Sequence, residues 1–237
     1  MQKIKDLIAR GKTSFLEHEV KGLLKGMGFS VPKGIYVEKD RADQIPAIVD
    51  IPYPLVAKVS SKKIVSKTDV NGVRIDLKNE NELKKAVSEL LQIRDAEGVL
   101  IEKMAKPGLE VIVGGVIDEQ FGPVVMFGLG GISVELFRDV AFALAPIKSE
   151  DALWLIRQVK GYRLLEGYRG RPSVDIDILV KMIVEVSEMI ATSLIKEIDL
   201  NPVSLYPEGA MVLDAKILVR LTDLRKCPRL KKVSNFF

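Results

Sequence analysis

Residues 197–217 read EIDLNPVSLYPEGAMVLDAKI. Glu197, Asp199 and Asn201 alternate with Ile198, Leu200 and Pro202, so in a strand the three polar side chains share one face and the apolar set takes the other. PVSLY and AMVLDAKILV read as two further strands, parted by the turn residues Pro207, Glu208 and Gly209. The hairpin returns Asp214 between Leu213 and Ala215, in a run that looks buried, so oxygen-bearing side chains converge. Mg²⁺ takes oxygen ligands and needs only one or two from a protein when phosphates and water supply the rest, an arrangement that Asn201 and Asp214 suit. A strand edge with solvated acids gives the same alternation, and the pattern alone leaves both readings open.

Upstream, helices and strands alternate. Ser14 and Glu17 have capping-box spacing before Leu16, Val20, Leu23, Leu24 and Met27, and Gly28 stops that helix. His18 lies beside the apolar stripe with acids on both sides and reads as a helix-surface residue. GIYVE (34–38) is expected to be a strand, DQIPAIVDI (43–51) helix-like, and PLVAKV (54–59) a buried strand. GVRIDL (72–77) and VLIEKM (99–104) are strands flanking a helix capped by Asn79 with Glu82 and carrying Leu83, Val87, Leu90 and Leu91. LEVIVGGVI (109–117) and PVVMF (123–127), joined by DEQFG, form an antiparallel hairpin. Helices are expected near 149–160 and 174–193. Between PLVAKV and GVRIDL lies KVSSKKIVSKTDVNGV (58–73), where Asn71-Gly72 is a two-residue hairpin signal. Gly128, Gly130 and Gly131 form a loop able to approach phosphate, near Glu135 and Asp139, but the spacing is no Rossmann or Walker fingerprint, and an ordinary turn looks the same.

Composition bounds the rest. The chain has 237 residues, 47% apolar and 29% charged, enough for one large domain or two lobes. Its net charge of +4 is small against 36 basic and 32 acidic residues, so electrostatic function must come from local clusters. Aromatics are 6% and do not interleave with Lys/Arg, which argues against nucleic acid as a partner. Cys227 is the lone cysteine, so no internal disulfide is possible and a reducing cytoplasmic compartment is expected. No signal-peptide pattern and no apolar run of about 20 residues is present, so no membrane association is expected. His18 is the single histidine, which rules out a His-Cys-Cys metal cluster.

VLIEKM, LEVIVGGV, FGPVVMFGLGGISVEL, LEGYRG, EIDLNPV and VLDAK, kept in this order from about residue 14 to about 219, resemble the small β subunit of ADP-forming acetyl-CoA (acyl-CoA) synthetase. That is an ATP-grasp family, related to the nucleotide lobe of succinyl-CoA synthetase. The resemblance implies an α+β ATP-grasp fold with nucleotide between two lobes, here 1–104 and 105–221, followed by a basic tail, 222–237. The tail reads as a solvated extension, with docking on a partner as the alternative. By the resemblance, Lys58 reaches the α- and β-phosphates of ATP/ADP. Glu102, Lys103 and Met104 form the hinge against adenine through backbone groups, and Glu110 meets the ribose. Asn201 and Asp214 hold Mg²⁺. Gly130, Gly131 and Glu135 line the phosphate side, with Asp199 and Glu135 as catalytic candidates.

Two departures stand out. The family loop resembles HK(S/T)DxGGV, whose histidine carries phosphate between the CoA-binding subunit and the nucleotide. The matching stretch here is SKTDVNGV, with Ser66 at the histidine position and Asn71 in place of a glycine. A serine phosphate is a low-energy ester and the hydroxyl a weak nucleophile without a base, so Ser66 is no substitute for an imidazole. FALAP carries Ala143 where the family commonly has arginine, which would remove a positive charge from the phosphate side. The expected function is a nucleotide-binding β-type subunit that works in a hetero-oligomer with a separate CoA-binding α subunit: acyl-CoA + ADP + phosphate ⇌ acid + ATP + CoA. A regulatory ATP-binding paralogue without the phosphohistidine relay is the alternative. A ligase that makes an acyl phosphate directly is the third reading, and the synthetase-type motifs speak against it.

Overall fold

The computed structural model describes residues 14–44, 50–64, 66–131 and 139–220. Two antiparallel sheets organise them. The first has the order β1-β4-β2-β3, from strands Gly34–Glu38 (β1), Leu55–Ser60 (β2), Val73–Leu77 (β3) and Gly98–Lys103 (β4). The second runs β10-β8-β5-β6-β7, with β9 paired to β8. Its strands are Leu109–Asp118 (β5), Gly122–Leu129 (β6), Val140–Leu144 (β7), Ile195–Leu205 (β8), Ala210–Val212 (β9) and Ala215–Val219 (β10). The helices are Glu17–Gly26 (α1), Glu80–Leu91 (α2), Ser149–Arg157 (α3) and Ile176–Ala191 (α4).

Each sheet has its own core. Leu83, Ala86, Val87 and Leu90 of α2 pack on Leu55, Ala57, Val99 and Ile101 of the first sheet. The apolar faces of α3 and α4 cover Val111, Val113, Val125 and Phe127 of the second. The sheets change over between Lys103 and Leu109, yet α1 does not stay with the strands that follow it in sequence. Val20, Leu23 and Leu24 join the second core with Ile217 and Val219 of β10, and Ser14 bridges Leu218. Ser14 and α1 thereby tie the small sheet to the large one.

Asn79 caps α2, accepting a hydrogen bond from Glu82 N at 3.0 Å while Glu82 accepts from Lys78 N at 2.8 Å, as its sequence requires. The cap expected at Ser14 is not formed. The α1 entry is closed by Glu19, whose carboxylate accepts from Leu16 N at 3.0 Å, because Ser14 lies in a bridge and Glu17 is drawn into an ion cluster described below. His18 stacks on Tyr36 with ring centroids 4.1 Å apart, tying α1 to β1. The helix-like segment expected at 43–51 begins instead as a 3-10 turn over Lys39–Gln44, and residues 45–49 lie outside the described ones.

β2 and β3 pair antiparallel as the hairpin signal implied, but the connection is the long loop 61–72 and not a two-residue turn. Asn71 does take the left-handed conformation at φ 50°. Gly72 N donates to Lys67 O at 2.7 Å, and a Cβ on Gly72 would stand 2.5 Å from Val59 Cγ1. Glycine is needed there for close approach. Glu135 and the tail from 221 onward lie outside the described residues.

Candidate functional site

A cleft of about 780 Å³ opens between the sheets. Strand parity supplies its large-sheet wall. Ile198 and Leu200 of β8 are buried in the second core, so Glu197, Asp199 and Asn201 take the opposite face, and Asp199 and Asn201 line the cleft. Asp214 joins them from the link between β9 and β10, where Asn201 N donates to Asp214 O at 3.1 Å. Lys58, Ser66, Lys67, Glu102, Lys103, Met104 and Glu110 line the same cleft.

At its floor lies an ion cluster that the sequence did not reveal. Lys58 Nζ is 2.9 Å from Glu17 Oε1 and 2.9 Å from Glu102 Oε2, while Lys21 Nζ is 2.8 Å from Glu17 Oε1 and 2.6 Å from Glu102 Oε1. Lys21 and Lys58 both donate to the Leu213 carbonyl as well. Lys67 Nζ lies 3.0 Å from Glu17 Oε2 and 2.8 Å from Asp214 Oδ2. Burial alone would raise the Glu17 carboxyl, but Lys58, Lys21 and Lys67 outweigh it and hold the group well below the carboxylate range. Burial would lower Lys58, and Glu17, Glu102 and Asp214 reverse that, so it is raised and stays charged. For Lys21 burial prevails and the shift is downward. Three lysines on three carboxylates, drawn from α1, β2, β4 and both lobes' loops, seal the base of the cleft.

These contacts alter the expected division of labour. Lys58 faces the cleft, yet its ammonium is engaged by Glu17 and Glu102. Glu102, expected to act through its backbone, has a buried side chain held by Lys21 and Lys58. The N–H groups of Lys103 and Met104 donate to Lys33 O at 2.8 Å and Pro54 O at 3.0 Å, so neither is free to donate to a ligand as the expected hinge role would have it. Gly130 likewise donates its N–H to Glu110 O at 2.8 Å, and a Cβ at 130 would stand 2.8 Å from that same carbonyl. Its need for glycine is the close approach of the β5 backbone. Gly131 is in the left-handed region at φ 65°. Gly130→Ala is expected to cost about 1–3 kcal/mol in urea denaturation, since the obstacle is backbone and cannot swing away. A change under 0.5 kcal/mol would contradict the packing role.

Ala143 corrects an expectation. Residue 143 pairs with Val125 on the helix-covered face of β7 and packs against the second core, while Phe142 and Leu144 point the other way, 57% and 61% exposed. Its side chain does not face the cleft, so Ala143 takes no charge from a phosphate there.

On the metal side the donors fit a hard cation. Burial pushes the Asp199 carboxyl up to about 6, reinforced by the neighbouring Asp214 and Glu197 charges. Crowded carboxylates beside an amide oxygen are what a divalent cation relieves. Among the described residues no group of three or more His, Cys, Asp or Glu is placed to hold a metal ion. Ser66 lies on the cleft wall, where its Oγ accepts from Asp69 N at 3.3 Å and serves the turn.

Two α+β lobes facing each other across a cleft, with a strand-borne lysine on one wall and oxygen donors on the other, match the ATP-grasp domain model over residues 6–219. The chain belongs to the ATP-grasp family. Within it, the chain is 40% identical over 228 residues to "Acetate--CoA ligase [ADP-forming] I subunit beta" of Pyrococcus furiosus, covering 92% of this chain and 98% of that one. It is 44% identical over 204 residues to "Acetate--CoA ligase [ADP-forming] II" of Archaeoglobus fulgidus, covering 86% of this chain and 30% of that longer protein. A solved relative, the Ca. Korarchaeum cryptofilum dinucleotide forming acetyl-coenzyme A synthetase 1 in complex with coenzyme A, Ca-AMPCP and HgCl+, superposes with a TM-score of 0.83 at 38% identity, covering 92% and 99% of the two chains. This ATP-grasp chain thus spans nearly the whole of a separate β subunit but under a third of a longer relative. No helix among its described residues is long and apolar enough to cross a membrane.

Of the site residues, Glu17, Lys21 and the cleft-spanning role of Lys67 were missed from sequence. The available signal was the Glu17–Lys21 spacing of four on α1, which any solvated helix also shows.

Proposed function

We propose that this chain is the nucleotide-binding β-type subunit of an ADP-forming acyl-CoA ligase, working with a separate CoA-binding α subunit: acyl-CoA + ADP + phosphate ⇌ acid + ATP + CoA. The observation that carries the reading is the match over 98% of a separate β subunit of that activity. The cleft supports it. Asn201 and Asp214 would hold Mg²⁺, which neutralises phosphate charge and orients the chain of phosphates when bound. Lys58 would face the α- and β-phosphates once nucleotide shares its charge with Glu17 and Glu102, and Glu110, exposed at the cleft edge, would take the ribose hydroxyls. Asp199, beside both metal donors, would adjust to the cation's charge.

The phosphoryl carrier is where this chain's residues fall short. Whatever group moves phosphate between the two subunits' sites, it is not an imidazole on loop 61–72, because Ser66 stands at that position. The test of the nucleotide reading is thermal. At a hundredfold excess over its Kd, MgADP should add about 2.7 kcal/mol of stability by mass action, and Asp214→Ala should remove the Mg²⁺-dependent part. An unchanged Tm at millimolar MgADP would count against the proposal, and acyl-CoA-dependent ATP formation with the copurified partner tests the full reaction.

A further inference from the structure

Among the described residues of loop 61–72, Lys67 is the one whose ion pairs reach across the cleft. Lys67 Nζ lies 3.0 and 2.8 Å from the two Asp214 oxygens and 3.0 Å from Glu17 Oε2, with its side chain only 20% exposed. Both carboxylates belong to the opposite side. Asp214 links β9 to β10, and α1 packs in the second core. The loop's other ion pairs stay on its own lobe, Lys62 with Glu97 and Lys63 with Asp95, and are largely exposed.

Asp214 therefore has two suitors of the same sign. A carboxylate holding an ammonium across both oxygens keeps lone pairs, but a hard cation approaching them meets the like charge of Lys67 Nζ at 2.8–3.0 Å, so Mg²⁺ and Lys67 compete for it. Departure of Lys67 leaves no bare buried charge, because Glu17 Oε1 keeps Lys21 at 2.8 Å and Lys58 at 2.9 Å. The geometry points to Lys67 as an internal counter-ion that pins loop 61–72 to Asp214 until a divalent cation takes the carboxylate, so that metal binding releases the loop and with it residue 66. Lys67 is thus a positioning residue for the loop, and the inference rests on the nucleotide reading above.

A ligand-contact role and a counter-ion role predict opposite signs. If Lys67 competes with metal, Lys67→Met should bind Mn²⁺ in the presence of ADP about fivefold or more tightly than wild type, by titration of free Mn²⁺, while Lys67→Arg stays near wild type. Weaker or unchanged binding by Lys67→Met overturns the inference and leaves the nucleotide reading intact. Absence of Mn²⁺–ADP binding in every variant overturns both. The release is read separately, in the full chain with Cys227→Ser and Ser66→Cys. Its single thiol should react faster with a disulfide reagent when Mn²⁺–ADP is added, and Lys67→Met on that background should react fast from the outset. A rate that falls or stays constant on Mn²⁺–ADP addition, where binding is measured, overturns the release.

Discussion

Glu102→Ala should cost the fold about 3–5 kcal/mol in chemical denaturation, the largest stability loss expected of a single cleft substitution. Glu102 is 2% exposed and answers two lysines that are themselves 4% and 8% exposed, so its removal leaves Lys21 and Lys58 sharing the one carboxylate of Glu17. Two buried ammonium groups without enough counter-charge are what makes a half-broken ion pair expensive, far more than the intact pair is worth. Removing Lys21 at the same time restores the balance. Glu102→Leu with Lys21→Met should therefore recover most of the loss, since Lys58 keeps Glu17 and the apolar side chains fill the vacated volume. A double variant no more stable than Glu102→Ala would refute the charge-balance account.

The same cluster sets a pH limit. Glu17 is held below its ordinary value of 4.5, because Lys58, Lys21 and Lys67 outweigh burial. A depressed carboxyl contributes stability that is complete above its unfolded-state pKa and erodes as pH falls through the folded one. Stability should drop below about pH 4.5 for this reason, and Glu17→Gln, less stable at neutral pH, should show a shallower acid limb.

What could be read from the sequence follows physical range. The β8 wall was legible because strand parity is local: apolar Ile198 and Leu200 fix where Asp199 and Asn201 point. The α2 cap was legible because Asn79 and Glu82 lie within one turn. The ion cluster was not, since Lys21 meets Glu102 across 81 positions and Lys67 meets Asp214 across 147, and nothing in either neighbourhood marks the partner. Glu17 and Lys21 look like an ordinary solvated pair until α1 is seen to pack against the second core. Ala143 shows the opposite error, in which a motif was compared by residue type without its parity. Parity alone would not have repaired it, since in VAFAL the large residues Phe142 and Leu144 are the exposed ones and the small Ala141 and Ala143 face the helices.

Ser66→His should convert a chain that takes no acid-labile phosphate into one that does. An imidazole nitrogen that attacks the γ-phosphorus of ATP forms a P–N bond as the bond to the departing ADP breaks, and the product is high in energy, so the reverse transfer to ADP is accessible. Ser66 offers only an ester, and its hydroxyl already serves the turn through Asp69 N at 3.3 Å. The loop is otherwise prepared: Lys67, Thr68, Asp69 and Gly72 keep the matching residues, and the turn is set by Gly72 N on Lys67 O at 2.7 Å. Ala143 does not weaken the expectation, because its side chain packs in the core and not in the cleft. Incubation with labelled ATP and Mg²⁺ should leave wild type without base-stable, acid-labile label and Ser66→His with label lost when Asp214→Ala is added. Labelling of wild type to the same extent would sink the idea that the carrier is missing here, and would direct attention to His18, the chain's one histidine, which stacks on Tyr36 beneath the first sheet's edge.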